Sequence, residues 1–156
     1  MASSNISYQK VSIKYGVLVG IAHVLFFLIM SLLDLLHIVE LSFLSGIFLV
    51  IGICVAISRY KTAKNGEINY FQGLAIGATT GVVSSTVLAL FLVIYISAVD
   101  SSYLASLQAS ALFPQSLSLL SLFVLAIVYG SWPGFWLAFI AMQWFKRRDP
   151  MSEHLR

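Results

Sequence analysis

Residues 70–98 read YFQGLAIGATTGVVSSTVLALFLVIYISA, a stretch with no charged side chain. A helix rises about 1.5 Å per residue, so about 20 apolar residues cross the roughly 30 Å hydrocarbon core of a bilayer. This stretch exceeds that length, which predicts a membrane helix that tilts, bends or ends among headgroups. Outward from it, three more stretches satisfy the same requirement, at about 13–33, 41–57 and 116–145. Composition agrees: 60% of the 156 residues are hydrophobic and 10% are charged, with mean hydropathy +0.95. Water is not the main solvent of such a chain.

The nine Lys and Arg residues fall beside these stretches on one predicted side. Lys10 and Lys14 precede or open the first, Arg59, Lys61 and Lys64 lie between the second and third, and Lys146, Arg147, Arg148 and Arg156 follow the fourth. The opposite connections, 34–40 and 99–115, carry none. By the positive-inside rule both termini are expected in the cytoplasm, with Glu40 and Ser106 outside. The polar residues 1–10 lack the early apolar core of a secretory signal, so the first stretch is expected to remain as a helix. Tyr15, Tyr60, Tyr70, Phe71, Trp144 and Phe145 fall near the inner boundary, and Tyr95 and Tyr103 near the outer one, as in an aromatic belt.

The expected fold is a single all-α integral membrane domain over 1–156, a four-transmembrane-helix bundle of two antiparallel hairpins. A short amphipathic outer helix is expected between the third and fourth spans, capped by Asp100 or Ser101 and ended by Pro114. Its apolar face would comprise Leu104, Leu107, Ala111 and Leu112.

Small residues recur at spacing four: Gly16 and Gly20 in the first span, Gly73, Gly77 and Gly81 in the third, Gly130 and Gly134 in the fourth. Lipid offers no hydrophobic drive for helix association, so such rows serve close backbone packing, within the bundle or between chains. Gly16 and Gly20 also match Gly73 and Gly77 at a separation of 57, a two-position hint of a parallel repeat.

Among ionisable groups, His23 lies near the middle of the first span, where a polar side chain needs a partner or water. Hydrogen bonding to Thr79, Thr80, Ser84 or Ser85 of the third span is the expected role, with a relay or ligand contact as the functional alternative. Asp34, His37 and Glu40 gather two carboxylates and an imidazole in one turn, either a wetted hairpin or a divalent-metal set, and the former is expected. Pro133 removes a backbone hydrogen bond in the fourth span, which predicts a kink. Cys54 is the single cysteine, so an internal disulfide is impossible.

No nucleophile elbow, P-loop, HExxH or dinucleotide fingerprint occurs. The net charge of +3 follows the span ends, which fits lipid headgroups and not nucleic acid. The chain reads as noncatalytic, without cofactor or metal: an accessory or assembly protein that packs against another membrane protein or against itself. The alternative is a small oligomeric transporter or channel using His23 and the Pro133 kink.

The stretch KNGEINYFQGLAIG at 64–77, with YGVLVG at 15–20 and YISAVDSSYL at 95–104, resembles the bacterial four-helix membrane family named domain of unknown function 4199. The likeness covers most of the chain from about Lys14 to the fourth span. It implies four helices in a bacterial cytoplasmic (inner) membrane and supplies neither an activity nor catalytic residues. The short, nearly uncharged outer connection and SWPGFW at 131–136 depart from the family pattern.

Overall fold

A computed structural model of the protein describes residues 7–36, 43–66, 68–110 and 114–145. They form five α-helices and, among the described residues, no strand: α1 (Tyr8–Leu32), α2 (Gly46–Ala63), α3 (Tyr70–Ala98), α4 (Ser102–Ala109) and α5 (Leu119–Phe145). A 3-10 turn, Phe43–Ser45, leads into α2. By length and composition α1, α2, α3 and α5 can each cross a membrane.

Local chemistry sets the helix ends. Ser7 accepts from the Gln9 amide at 3.3 Å and starts α1. Asn69 and Gln72 form a capping box: Asn69 accepts from the Phe71 amide at 3.1 Å, and the Gln72 side chain accepts from the Asn69 amide at 3.4 Å. After α2 the chain reverses through Asn65 and Gly66, both at positive φ, where a side-chain-free residue is least strained.

Hydropathy predicts the second span at 41–57, whereas α2 starts at Gly46 and continues to Ala63; residues 41–42 lie outside the described residues. Helical hydrogen bonding does not stop where hydropathy falls. Arg59 and Lys61 ride on the last turns of α2, and the Lys61 ammonium donates to the Phe145 carbonyl at 2.9 Å. For the same reason α1 begins at Tyr8, five positions before the expected 13, and includes Lys10 and Lys14. These cations mark the basic end of the bundle.

α3 lies between α1 and α5. Its contacts with α1 advance together along both helices, from Gly16 beside Thr80 and Val83, through Gly20 beside Ser84 and Val87, to Ser31 beside Tyr95. Its contacts with α5 advance in opposite senses: Gly73 meets Met142, Gly77 meets Ala138, and Gly130 meets Ser85. α2 lies against α1, with Val19 seated on Gly52. Toward the basic end Val19, Leu49, Ile53, Ile57, Tyr60, Ile76 and Met142 form one core. Tyr95, Ile96, Leu117 and Leu122 form a second at the other end, covered by Tyr103, Leu104 and Leu107 of α4.

Two tyrosines expected in an aromatic belt belong to these cores. Tyr60 is 2% exposed and Tyr95 9% exposed. The Tyr95 hydroxyl lies 2.9 Å from that of Ser31, so its polar end is satisfied inside the bundle, and its ring packs edge-on against Phe27. α4 carries the start signal on Asp100, whose carboxylate accepts from the Ser102 amide at 2.9 Å. It ends at Ala109. The expected face positions Ala111 and Leu112 lie outside the described residues.

Candidate functional site

Among the described residues, His23 is the one Asp, Glu, Lys, Arg or His whose side chain is buried, at 9% exposure. Its Nε2 lies 2.9 Å from the Ser45 carbonyl, the last position before α2. A carbonyl only accepts, so the Nε2 proton is donated to it and the neutral ring keeps Nδ1 as an acceptor. Nδ1 is buried and has no hydrogen-bond partner among the described residues. Phe48 meets the ring edge-on, with centroids 6.3 Å apart.

This geometry corrects the expected partner. Of the hydroxyls that the sequence offers, Thr80 donates to the Ser12 carbonyl at 3.4 Å, and Ser84 and Ser85 donate to the Gly81 carbonyl at 3.0 and 2.8 Å. Small hydroxyls bond readily to their own helix, which leaves His23 to find another acceptor. On α1 it follows Gly20, which is turned to α3, and Val19, which is turned to α2. α2 begins at that level, and Ser45 supplies the carbonyl.

His23 borders a cavity of about 170 Å³. Phe26, Phe27 and Met30 of α1, Leu88 and Leu92 of α3, and Tyr103 of α4 form most of its wall. The arrangement is an apolar chamber holding an imidazole acceptor, suited to one hydroxyl, amide or water donor. Desolvation keeps the Tyr103 phenol above its usual range, with the neighbouring Tyr95 adding to the effect. Tyr103 therefore stays protonated at neutral pH.

The polar turn is only partly placed. Asp34 is exposed after α1 at φ 53°, while His37 and Glu40 lie outside the described residues. α5 runs through Pro133 as one helix, and the cavity wall takes none of its residues from α5. The glycines mark interfaces inside the chain. A Cβ on Gly77 would lie 2.1 Å from Ala138 Cβ and 2.9 Å from the Gly134 carbonyl, and one on Gly16 or Gly20 would press into Val83 or Val87. A Cβ on Gly81 would lie 3.2 Å from Gly134 Cα, and one on Gly73 2.1 Å from Met142 Sδ. The Gly16–Gly20 pair faces a helix of the same sense and the Gly73–Gly77 pair one of opposite sense, so the two pairs are not equivalent.

Two features escape sequence reasoning. A Cβ on Gly52 would lie 2.1 Å from Val19 Cγ2, yet Gly52 has no glycine at spacing four to announce the contact. On α5, Trp132, Phe135, Trp136 and Phe139 are exposed, and the ring of Trp136 lies 6.1 Å, centroid to centroid, from each of the other three. Spacings of three and four in SWPGFWLAF carry that second signal.

The family model described as "Protein of unknown function (DUF4199)" matches residues 14–118. The chain belongs to this family. The DUF4199 match takes in His23, the cavity wall, most of α1 and all of α2 to α4, and stops just before α5. Gly130, Pro133, Gly134 and the aromatic face of α5 therefore lie beyond the DUF4199 match. Neither a curated protein nor a solved structure matches the chain.

Proposed function

We propose that this DUF4199 protein is a noncatalytic accessory or assembly protein of the bacterial cytoplasmic membrane. Its two antiparallel hairpins cross the bilayer with both termini in the cytoplasm, and α5 packs against another membrane protein or a second copy. The observation that supports this reading is the exposed ladder Trp132, Phe135, Trp136 and Phe139 on the least buried of the four long helices. Large aromatic side chains are the usual anchors of protein interfaces. A photo-crosslinking residue at Trp136 in native membranes tests it. One discrete protein adduct is expected, its mass distinguishing a copy from another protein; adducts of lipid size alone overturn the reading.

A second reading, a small oligomeric transporter or channel, draws support from the His23 Nδ1, unpartnered among the described residues, and its cavity. Against it, Val19 on Gly52 and Gly20 against Val87 pack tightly between that cavity and the basic end. Solute or proton flux in reconstituted vesicles, abolished by His23→Gln in a folded protein, would favour it over the accessory role.

A further inference from the structure

The seam between α1 and α2 carries a second set of features, apart from the aromatic face of α5. At the basic end Lys10, Lys14 and Arg59 line one cleft of about 590 Å³ with Tyr15 and Thr62. Tyr15 also lines an apolar groove of about 240 Å³, walled by Leu18 and Ala22 on α1 and by Phe48, Ile51 and Val55 on α2. Helical register makes cleft and groove continuous. Lys14, Leu18 and Ala22 are four apart, and Phe48, Ile51, Val55 and Arg59 are three or four apart, so each set forms one stripe. Val19 seated on Gly52 closes the floor between the stripes.

Charge and length together select an occupant. The three cations are exposed, and the acidic residues among the described ones, Asp34 and Asp100, belong to the opposite end. A cleft with clustered positive charge favours an anion, above all one held at the membrane surface. From Phe48 to Arg59 the stripe rises about 16 Å at about 1.5 Å per residue, close to the roughly 15 Å depth of one hydrocarbon leaflet. A soluble anion would use the cleft and leave the groove empty; a lipid uses both.

We infer that the α1–α2 seam is a binding site for one anionic phospholipid, its phosphate held by Lys10, Lys14 and Arg59 and an acyl chain laid along Leu18, Ala22, Ile51 and Val55. The full-length protein in detergent, titrated separately with phosphatidylglycerol, phosphatidylethanolamine and inorganic phosphate under native mass spectrometry, tests the assignment. A single phosphatidylglycerol adduct is expected, favoured by at least about tenfold over phosphatidylethanolamine. Replacing all three cations by Gln should remove the preference, and Lys14→Arg should retain it. Ala22→Trp, which fills the groove while leaving the cations in place, should weaken phosphatidylglycerol binding even if the triple variant does not fold. Equal binding of the two lipids, or unchanged binding by Ala22→Trp, overturns the inference. So does inorganic phosphate that binds as tightly as phosphatidylglycerol and displaces it, which would assign the cleft to a free anion.

Discussion

His23 and Ser45 are joined across the α1–α2 seam by a 2.9 Å hydrogen bond, imidazole to backbone carbonyl. The bond holds the first turn of α2 at the level of His23. Replacing His23 by Leu removes the donor and leaves the carbonyl with one hydrogen bond fewer; the expected cost is about 0.5–1.5 kcal/mol. Thermal denaturation in detergent measures it. Gln, which can still donate, should recover part of the loss, and equal stability for Leu and wild type would show that the bond contributes nothing.

Gly77 and Gly46 form a contrasting pair. An ideal Cβ on Gly77 meets Ala138 at 2.1 Å, whereas one on Gly46 meets nothing within 4 Å among the described residues. Gly77→Leu is expected to destabilise by at least about 1–3 kcal/mol through overpacking. Gly46→Leu should differ little from wild type by the same assay. Equal behaviour of the two variants would remove the close α3–α5 approach from the account.

The Ser31–Tyr95 pair is a part-buried hydroxyl contact between α1 and α3. Hydrogen bonds between membrane helices average about 0.6 kcal/mol by double-mutant cycles. A cycle of Ser31→Ala and Tyr95→Phe should give a coupling near that value, and zero coupling would leave Tyr95 held by ring packing alone.

Asp100 has its carboxyl below the ordinary range, chiefly through the Ser102 hydroxyl and also through the Ser102 amide. The folded pKa is depressed, so the stabilising bonds are complete above the unfolded value and are lost as pH falls through the folded one. Protection of the Ser102 and Tyr103 amides, read as exchange relative to their intrinsic rates at each pH, should therefore fall at acidic pH, below the usual carboxylate range. In Asp100→Asn the same amides should lose that pH dependence.

Topology is tested with single cysteines in a Cys54→Ala background. Lys64→Cys should be shielded from an impermeant thiol reagent in intact cells, and Ser106→Cys should react. Labelling of position 64 from outside overturns the orientation drawn from the nine basic residues.

Long apolar stretches make four helices legible in the sequence, because hydropathy integrates over many residues and tolerates local error. Helix ends are less legible. Lys10, Lys14, Arg59 and Lys61 continue helices past their apolar parts, and charge there looks like a stop although the backbone has no reason to break. The Asn69–Gln72 capping box does carry a local signal, in residues three apart. The His23 partner is illegible for a different reason. A backbone carbonyl leaves no trace in side-chain identity, and Ser45 reaches His23 only because α2 starts where it does. Likewise the Lys10, Lys14 and Arg59 cleft depends on two helix registers that no single stretch encodes.

The placement of α3 between α1 and α5 has a consequence for how the chain assembles during synthesis. α1 buries Gly16 and Gly20 against α3 and not against its sequence neighbour, so α1 and α2 emerge with the glycine face of α1 uncovered. That face waits for a helix made some sixty residues later, and α3 in turn keeps Gly77 and Gly81 open until α5 arrives. A fragment ending after Ala63 is thus half an interface, and the packing of α3 is complete only with α5 in place.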